Sequence, residues 1–167
     1  MIEKVKEEKL KLEKTKEFLK FKRVYPKSYF YSAFSMYENM EDMAWQMNYY
    51  DPETEKITTF ELNDGIKITI NSKLFQKVKE KPKELDLDKV KINLKDAISI
   101  INKLRDDKYK DEHENKVIAI LQNIENKQVW NITYITSELR LLNVRIDSNN
   151  GNIIHEKFES ITRLKAK

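Results

Sequence analysis

One pattern occurs twice along the chain, and it constrains the fold more than any other feature. Residues 45–49 read Trp-Gln-Met-Asn-Tyr, and residues 130–134 read Trp-Asn-Ile-Thr-Tyr. Residues two apart in a strand point to the same face of a sheet, so Trp, the apolar residue and Tyr share one face in each segment. We predict that these aromatic residues are core residues. The alternative is a surface on which a ligand stacks. The four residues are Trp45, Tyr49, Trp130 and Tyr134.

Turn signals also recur in the two halves. The chain contains two glycines: Gly65 follows Asp64, and Gly151 follows Asp147 by four positions. Both turns favour a positive φ angle, which Gly adopts without a steric penalty. An Asp that precedes a turn accepts bonds from local backbone N–H groups. We therefore predict that these four residues shape turns.

The first half begins with a charged segment that has no Gly or Pro. This composition predicts one helix over residues 3–22, with Val5, Leu12 and Leu19 forming a narrow apolar seam. Alternation of apolar and polar residues then predicts strands. The predicted strands span 29–37, 44–50, 57–62 and 66–70, the last being half-buried.

The second half repeats this order. Asn93 is the predicted N-cap of a helix whose apolar face is spaced as an amphipathic helix requires. That face consists of Ala97, Ile98, Ile101 and Leu104. A polar loop is expected at 106–116. The predicted strands span 117–122, 129–135, 139–147 and 152–155.

Together these elements predict an α+β protein made of two repeats. Each repeat is one helix packed on an antiparallel β-meander, a cystatin-like layout, because neither layer buries its apolar side alone. The predicted units span 1–71 and 92–167. Between them, 72–91 is a charged connector that we expect to be a solvated linker, with a short helix at 73–80.

The second half resembles a PepSY domain. Residues 92–106 are similar to its opening helix, 129–134 to its central strand, and 144–153 to its closing hairpin, in which an Asp precedes a turn Gly. The first half is similar through Trp45 and Asp64-Gly65. The chain therefore resembles a tandem PepSY-like protein. Members of this family are mostly extracytoplasmic, often membrane-anchored or attached to peptidases, and inhibit, chaperone or sense rather than catalyse.

The residues argue against catalysis. The absence of Cys excludes thiol chemistry, disulfides and Cys-based zinc sites. His113 and His155 lie in unrelated contexts, and two isolated glycines exclude a phosphate-binding loop. We predict no enzyme, cofactor or metal site. The remaining enzymatic alternative is a carboxylate pair formed by Asp64 and Asp147.

Charge leaves two classes of partner open. Basic residues outnumber acidic ones in 1–23, which makes a nucleic-acid surface the alternative hypothesis. Because Glu is interleaved with Lys, we favour a solvated helix with i,i+4 pairs. We predict instead that a peptide or protein partner binds at the sheet edges or faces, by β-augmentation.

Location is predicted by the resemblance alone. No segment approaches the roughly 20 apolar residues that span a bilayer. Residues 1–16 lack the apolar core of a signal peptide. The resemblance still implies an extracytoplasmic protein, whose leader or membrane anchor would lie outside this sequence.

Overall fold

Alternating apolar residues build eight antiparallel strands that join in a single sheet. The computed structural model describes residues 2–63, 65–71 and 81–161. The predicted α+β class with an antiparallel sheet is confirmed. The strands are β1 (Tyr29–Tyr37), β2 (Gln46–Asp51), β3 (Lys56–Leu62), β4 (Ile66–Asn71), β5 (Glu114–Ile124), β6 (Lys127–Thr136), β7 (Arg140–Asp147) and β8 (Ile153–Ser160).

The strand order is β4-β3-β2-β1-β5-β6-β7-β8. The pairing of β1 with β5 at the centre joins strands from both predicted units into one continuous sheet. Ala33 lies opposite Met47 on one side and opposite Leu121 on the other. This buried row therefore crosses the junction without a break.

The N-terminal helix differs from its prediction. A single helix over 3–22 is wrong, because α1 (Ile2–Glu13) ends and α2 (Lys16–Val24) begins around Thr15. The Thr15 hydroxyl donates to the Leu12 carbonyl (2.7 Å) and accepts from the backbone N–H of Phe18 (3.2 Å). It thus serves the end of one helix and the start of the next. The break takes Leu19 out of the predicted seam, and its side chain is 48% exposed.

All three helices lie on one face of the sheet. Phe18 and Phe21 of α2 pack against Tyr49 and Phe60 of β2 and β3. The third helix, α3 (Leu94–Lys108), buries Leu94, Ala97 and Ile101. The predicted cap is confirmed, since the Asn93 side chain accepts from the backbone N–H of Asp96 at 2.8 Å.

The last part of the connector is packed rather than solvated. Leu85 and Val90 are buried. The backbone N–H of Leu85 donates to the Phe30 carbonyl (3.0 Å), and that of Ile92 donates to the Ser148 carbonyl (2.9 Å). The expectation of a solvated linker is therefore wrong for 81–91. Its backbone bonds extend the sheet, and its isolated apolar residues fill the core. The helix predicted at 73–80 lies outside the described residues.

Three further boundaries moved. Helix α3 continues to Lys108, into the predicted loop. Strand β8 runs to Ser160 rather than ending at 155. The strand predicted to be half-buried, β4, exposes 40% of Ile68 and 51% of Ile70, because it lies at the end of the sheet.

Two short 3₁₀ turns, Met40–Asp42 and Leu87–Lys89, complete the described elements. In the part of the chain that the structure describes, no helix is both long and apolar enough to cross a membrane.

Candidate binding surfaces

The predicted core aromatics lie between the helices and the sheet. Trp45 and Trp130 are fully buried and their ring centroids are 6.2 Å apart, while Tyr49 and Tyr134 are 3% and 2% exposed. The indole N–H of Trp130 donates to the Ile92 carbonyl (3.0 Å). The Tyr134 hydroxyl donates to Oδ1 of Asn102 (2.7 Å). Rings this deeply buried present no face on which a ligand could stack.

The predicted turn residues lie at opposite corners of the sheet. Gly65 has φ of +119° between β3 and β4, and Gly151 has φ of +80° between β7 and β8. The Asp147 carboxylate accepts from the backbone N–H of Asn149 (2.9 Å). Asp64 lies outside the described residues. Strands β3 and β7 are five antiparallel neighbours apart, so they run in opposite directions and their turns are separated by about 24 Å or more.

No cluster of catalytic or metal-ligating groups is present among the described residues. Within 2–63, 65–71 and 81–161, no three His, Asp or Glu side chains converge as metal ligands would. His113 and His155 are both exposed. Neither histidine therefore belongs to an enclosed site in this part of the chain.

The basic face of the first two helices is partly occupied by internal partners. Lys9 bonds to Glu13 in an i,i+4 pair, and Lys6 approaches the Asp88 carboxylate at 3.4 Å. Lys22 donates to the Ser28 carbonyl (2.6 Å). These contacts fit a solvated, internally paired helix surface.

A cleft of about 620 Å³ lies between α1 and the packed connector. Leu10, Leu85 and Leu87 contribute apolar lining, and Lys6 and Asp88 contribute charges of both signs. Asn123 lines it too, and its amide donates to the Glu84 carbonyl (2.9 Å). Because the cleft is open and its charges are mixed, it shows no preference for one class of ligand.

The sheet face opposite the helices carries ladders of polar side chains. The Asn143 amide donates to Oδ1 of Asn131 (2.7 Å) and to Oγ1 of Thr133 (2.9 Å), across β6 and β7. Asn48 links β1 and β3 in the same way, through Ser32 and Thr59. Between the ladders, Phe34, Met36, Ile118 and Ile120 form an apolar centre on β1 and β5. These side chains satisfy one another across neighbouring strands.

Strand β4 is an edge with few features that would block pairing. Ile66, Ile68 and Ile70 lie on the helix side, opposite Leu62, Phe60 and Thr58. Phe60 is fully buried, yet its neighbour Ile68 is 40% exposed, so the apolar row reaches the edge and stops in solvent. The register with β3 is regular, and Lys67 is the charged residue of the strand.

Strand β8, the other edge, is protected. Its register with β7 shifts between Arg145 and Ile146, which marks a bulge. Glu156 lies on the helix side, bonded to Lys108 (3.0 Å) and to the Tyr109 hydroxyl (3.1 Å). Bulges and inward charges are devices by which natural sheets prevent edge-to-edge pairing.

Sequence reasoning did not identify this difference between the edges. The signal lay in two short segments, 66–70 with three Ile and one Lys, and 155–159 with four charged or titratable residues. Alternation predicts a strand but does not show whether a neighbour covers its outer side.

Comparison with known proteins supports the fold. No protein-family model and no curated protein matches the chain. Among solved structures, the chain is similar to a candidate lipoprotein from Clostridium difficile 630, with a TM-score of 0.56 and 14% identity over 86% of this chain and 90% of that one. At this identity the similarity shows a shared fold.

Proposed function

We propose that this protein is a non-catalytic binding module that takes an extended segment of a peptide or protein partner onto β4. The exposed isoleucine row at the regular edge of β4 carries the proposal. An added strand would gain main-chain hydrogen bonds along the edge, and its apolar side chains would cover Ile68 and Ile70. Alternate residues of the partner would face the helix side, which predicts a preference for apolar residues at every second position.

The proposed architecture behind this edge is a pair of diverged helix-plus-meander units, as in a tandem PepSY-like protein. In support, helices precede each run of four sequential strands, and the first strands of the two runs pair at the centre. An extracytoplasmic location belongs to the same proposal. It is supported by the PepSY resemblance and by the fold shared with the candidate lipoprotein.

A displayed library of random peptides, selected against the immobilised protein, tests the function. We expect selected peptides to alternate apolar and polar residues and to slow amide hydrogen exchange in 66–71 but not in 153–160. Ile70→Lys places a charge in the exposed row at small cost to folding, and should weaken binding at least tenfold.

Ile154→Lys on β8 is the matched control, because Ile154 is also an exposed edge residue (41%). It should bind like the wild type. A library that yields no binding peptide, or binding that is lost in Ile154→Lys and kept in Ile70→Lys, would contradict the proposal.

A further inference from the structure

We infer that, in the free protein, β4 is occupied by β4 of a second copy, which gives a closed two-fold dimer. This inference rests on the proposed function, since it names an occupant of the same edge. A two-fold axis perpendicular to the sheet brings two identical edges together in antiparallel orientation, with both helix layers on the same side. The isoleucine rows of the two copies would then meet.

The pattern of β4 is complementary to itself. Its isoleucines occupy 66, 68 and 70, so an antiparallel register centred on Ile68 places Ile68 opposite its own counterpart. Ile66 then lies opposite Ile70 of the second copy, and Lys67 lies opposite Thr69. The row Phe60–Ile68 continues across the junction into the same row of the second copy. The 40% of Ile68 that is exposed would become covered.

The charges favour this occupant over an acidic segment. Lys67 lies directly opposite Glu61 of its own β3, on the face away from the helices. Lys67 therefore already has a carboxylate on the neighbouring strand, and it does not require one from the partner. In the two-fold register it faces the neutral Thr69, and no two like charges lie directly opposite each other.

The chain already contains a junction of this kind. Strands β1 and β5 pair in antiparallel orientation from Ser32 to Tyr37, and the buried row passes from Ala33 to Leu121. The proposed contact repeats this arrangement between two molecules.

The other edge explains why assembly would stop at two. The bulge in β8 and the inward-facing Glu156 oppose pairing there, so a second junction would not form and no filament would grow. A contact of six residues per copy is small compared with a standard interface. We therefore expect a weak dimer that depends on concentration and that a partner segment can displace.

Sedimentation velocity over a concentration series tests the inference. The weight-average mass of the wild type should rise from 20.1 kDa towards twice that value. Ile68→Lys and Ile68→Glu should each stay monomeric, because like charges would meet on the two-fold axis. An equimolar mixture of the two variants should recover the dimer, because residue 68 of one copy then faces the opposite charge. Ile154→Lys should dimerise like the wild type.

A wild type that stays at 20.1 kDa throughout would overturn the inference, as would a mixture that associates no better than either variant alone. Amide exchange in 66–71 of the wild type gives a readout independent of the variants, and it should slow as concentration rises. A monomeric protein that still binds selected peptides at β4 would refute the dimer alone. A dimer that binds no peptide would refute the proposed function alone.

Discussion

The two halves of this molecule cover the same sheet face with different side chains. In the first half, Phe18 and Phe21 of a short helix meet Tyr49 and Phe60, with ring centroids 5.2 to 5.7 Å apart. In the second half, one longer helix contributes Leu94, Ala97 and Ile101. Two broken helices cover less of the sheet, so large rings fill the space that a continuous helix would occupy.

The difference extends to the polar contacts. Trp130 and Tyr134 each donate a hydrogen bond to α3 or to the residues that lead into it. In the first half, the indole N–H of Trp45 is buried without a hydrogen-bond partner among the described residues. The first half therefore depends on ring packing, whereas the second combines aliphatic packing with specific hydrogen bonds. Four pairs of substitutions test this contrast.

The largest effect is expected at Phe60, which three aromatic rings contact. Phe60→Ala should lower the free energy of unfolding by about 3–5 kcal/mol, and Ile101→Ala in α3 by about 1 kcal/mol less. Urea unfolding followed by the fluorescence of the buried Trp45 and Trp130 measures both. If Ile101→Ala costs more than Phe60→Ala, the first half does not depend on its rings in the way described.

The second effect concerns the helix break. Thr15→Ala removes both a cap acceptor for Phe18 and a donor to Leu12, and should cost about 1–2 kcal/mol. Asn93→Ala removes one cap bond, to Asp96, and should cost about 1 kcal/mol. Chemical denaturation followed by circular dichroism compares them. Equal losses would mean that the donor to Leu12 contributes nothing measurable.

A smaller effect is expected from the tyrosine hydroxyls. Tyr134→Phe breaks the 2.7 Å bond to Asn102 and should cost about 1 kcal/mol. Tyr49→Phe loses a longer contact of 3.3 Å to Glu13, which keeps Lys9 as a partner, so its cost should be smaller. Thermal unfolding of the two variants at neutral pH gives the order. The reverse order would contradict the assignment of hydrogen-bond anchoring to the second half.

The smallest effects depend on pH and differ in sign between the halves. Burial raises the pKa of Glu8 in α1, so its charged form costs stability above the folded pKa, and this cost disappears below the unfolded value. The hydrogen bond from Lys108 lowers the pKa of Glu156, so its charge adds stability that is lost as pH falls from the unfolded value through the folded one.

Glu8→Gln should therefore raise the melting temperature at pH 7, and Glu156→Gln should lower it. Both differences should shrink in acid, as the wild-type carboxyl groups become protonated. Melting temperatures between pH 3 and pH 7 test this. Shifts of the same sign at pH 7 would show that one of the two environments is described wrongly.

Much of the strand content could be predicted from the sequence, because period-two alternation depends on local pattern. Segment 29–37 matches β1, and the trio at 130–134 lies within β6. The break at Thr15 could not be predicted, since Val5, Leu12 and Leu19 also suit one straight helix. The burial of Leu85 and Val90 was missed because these residues are isolated within a charged run. Their partners lie far away along the chain.

The sequence by itself determined the class of structure, the turns that need Gly65 and Gly151, and the cap at Asn93, because each depends on local geometry and side-chain chemistry. Only the tertiary structure decided which strands end the sheet. A strand has the same alternation at the centre and at the edge, and its position follows from long-range pairing such as that of β1 with β5. The candidate binding edge at β4 therefore depends on long-range pairing rather than on a local motif.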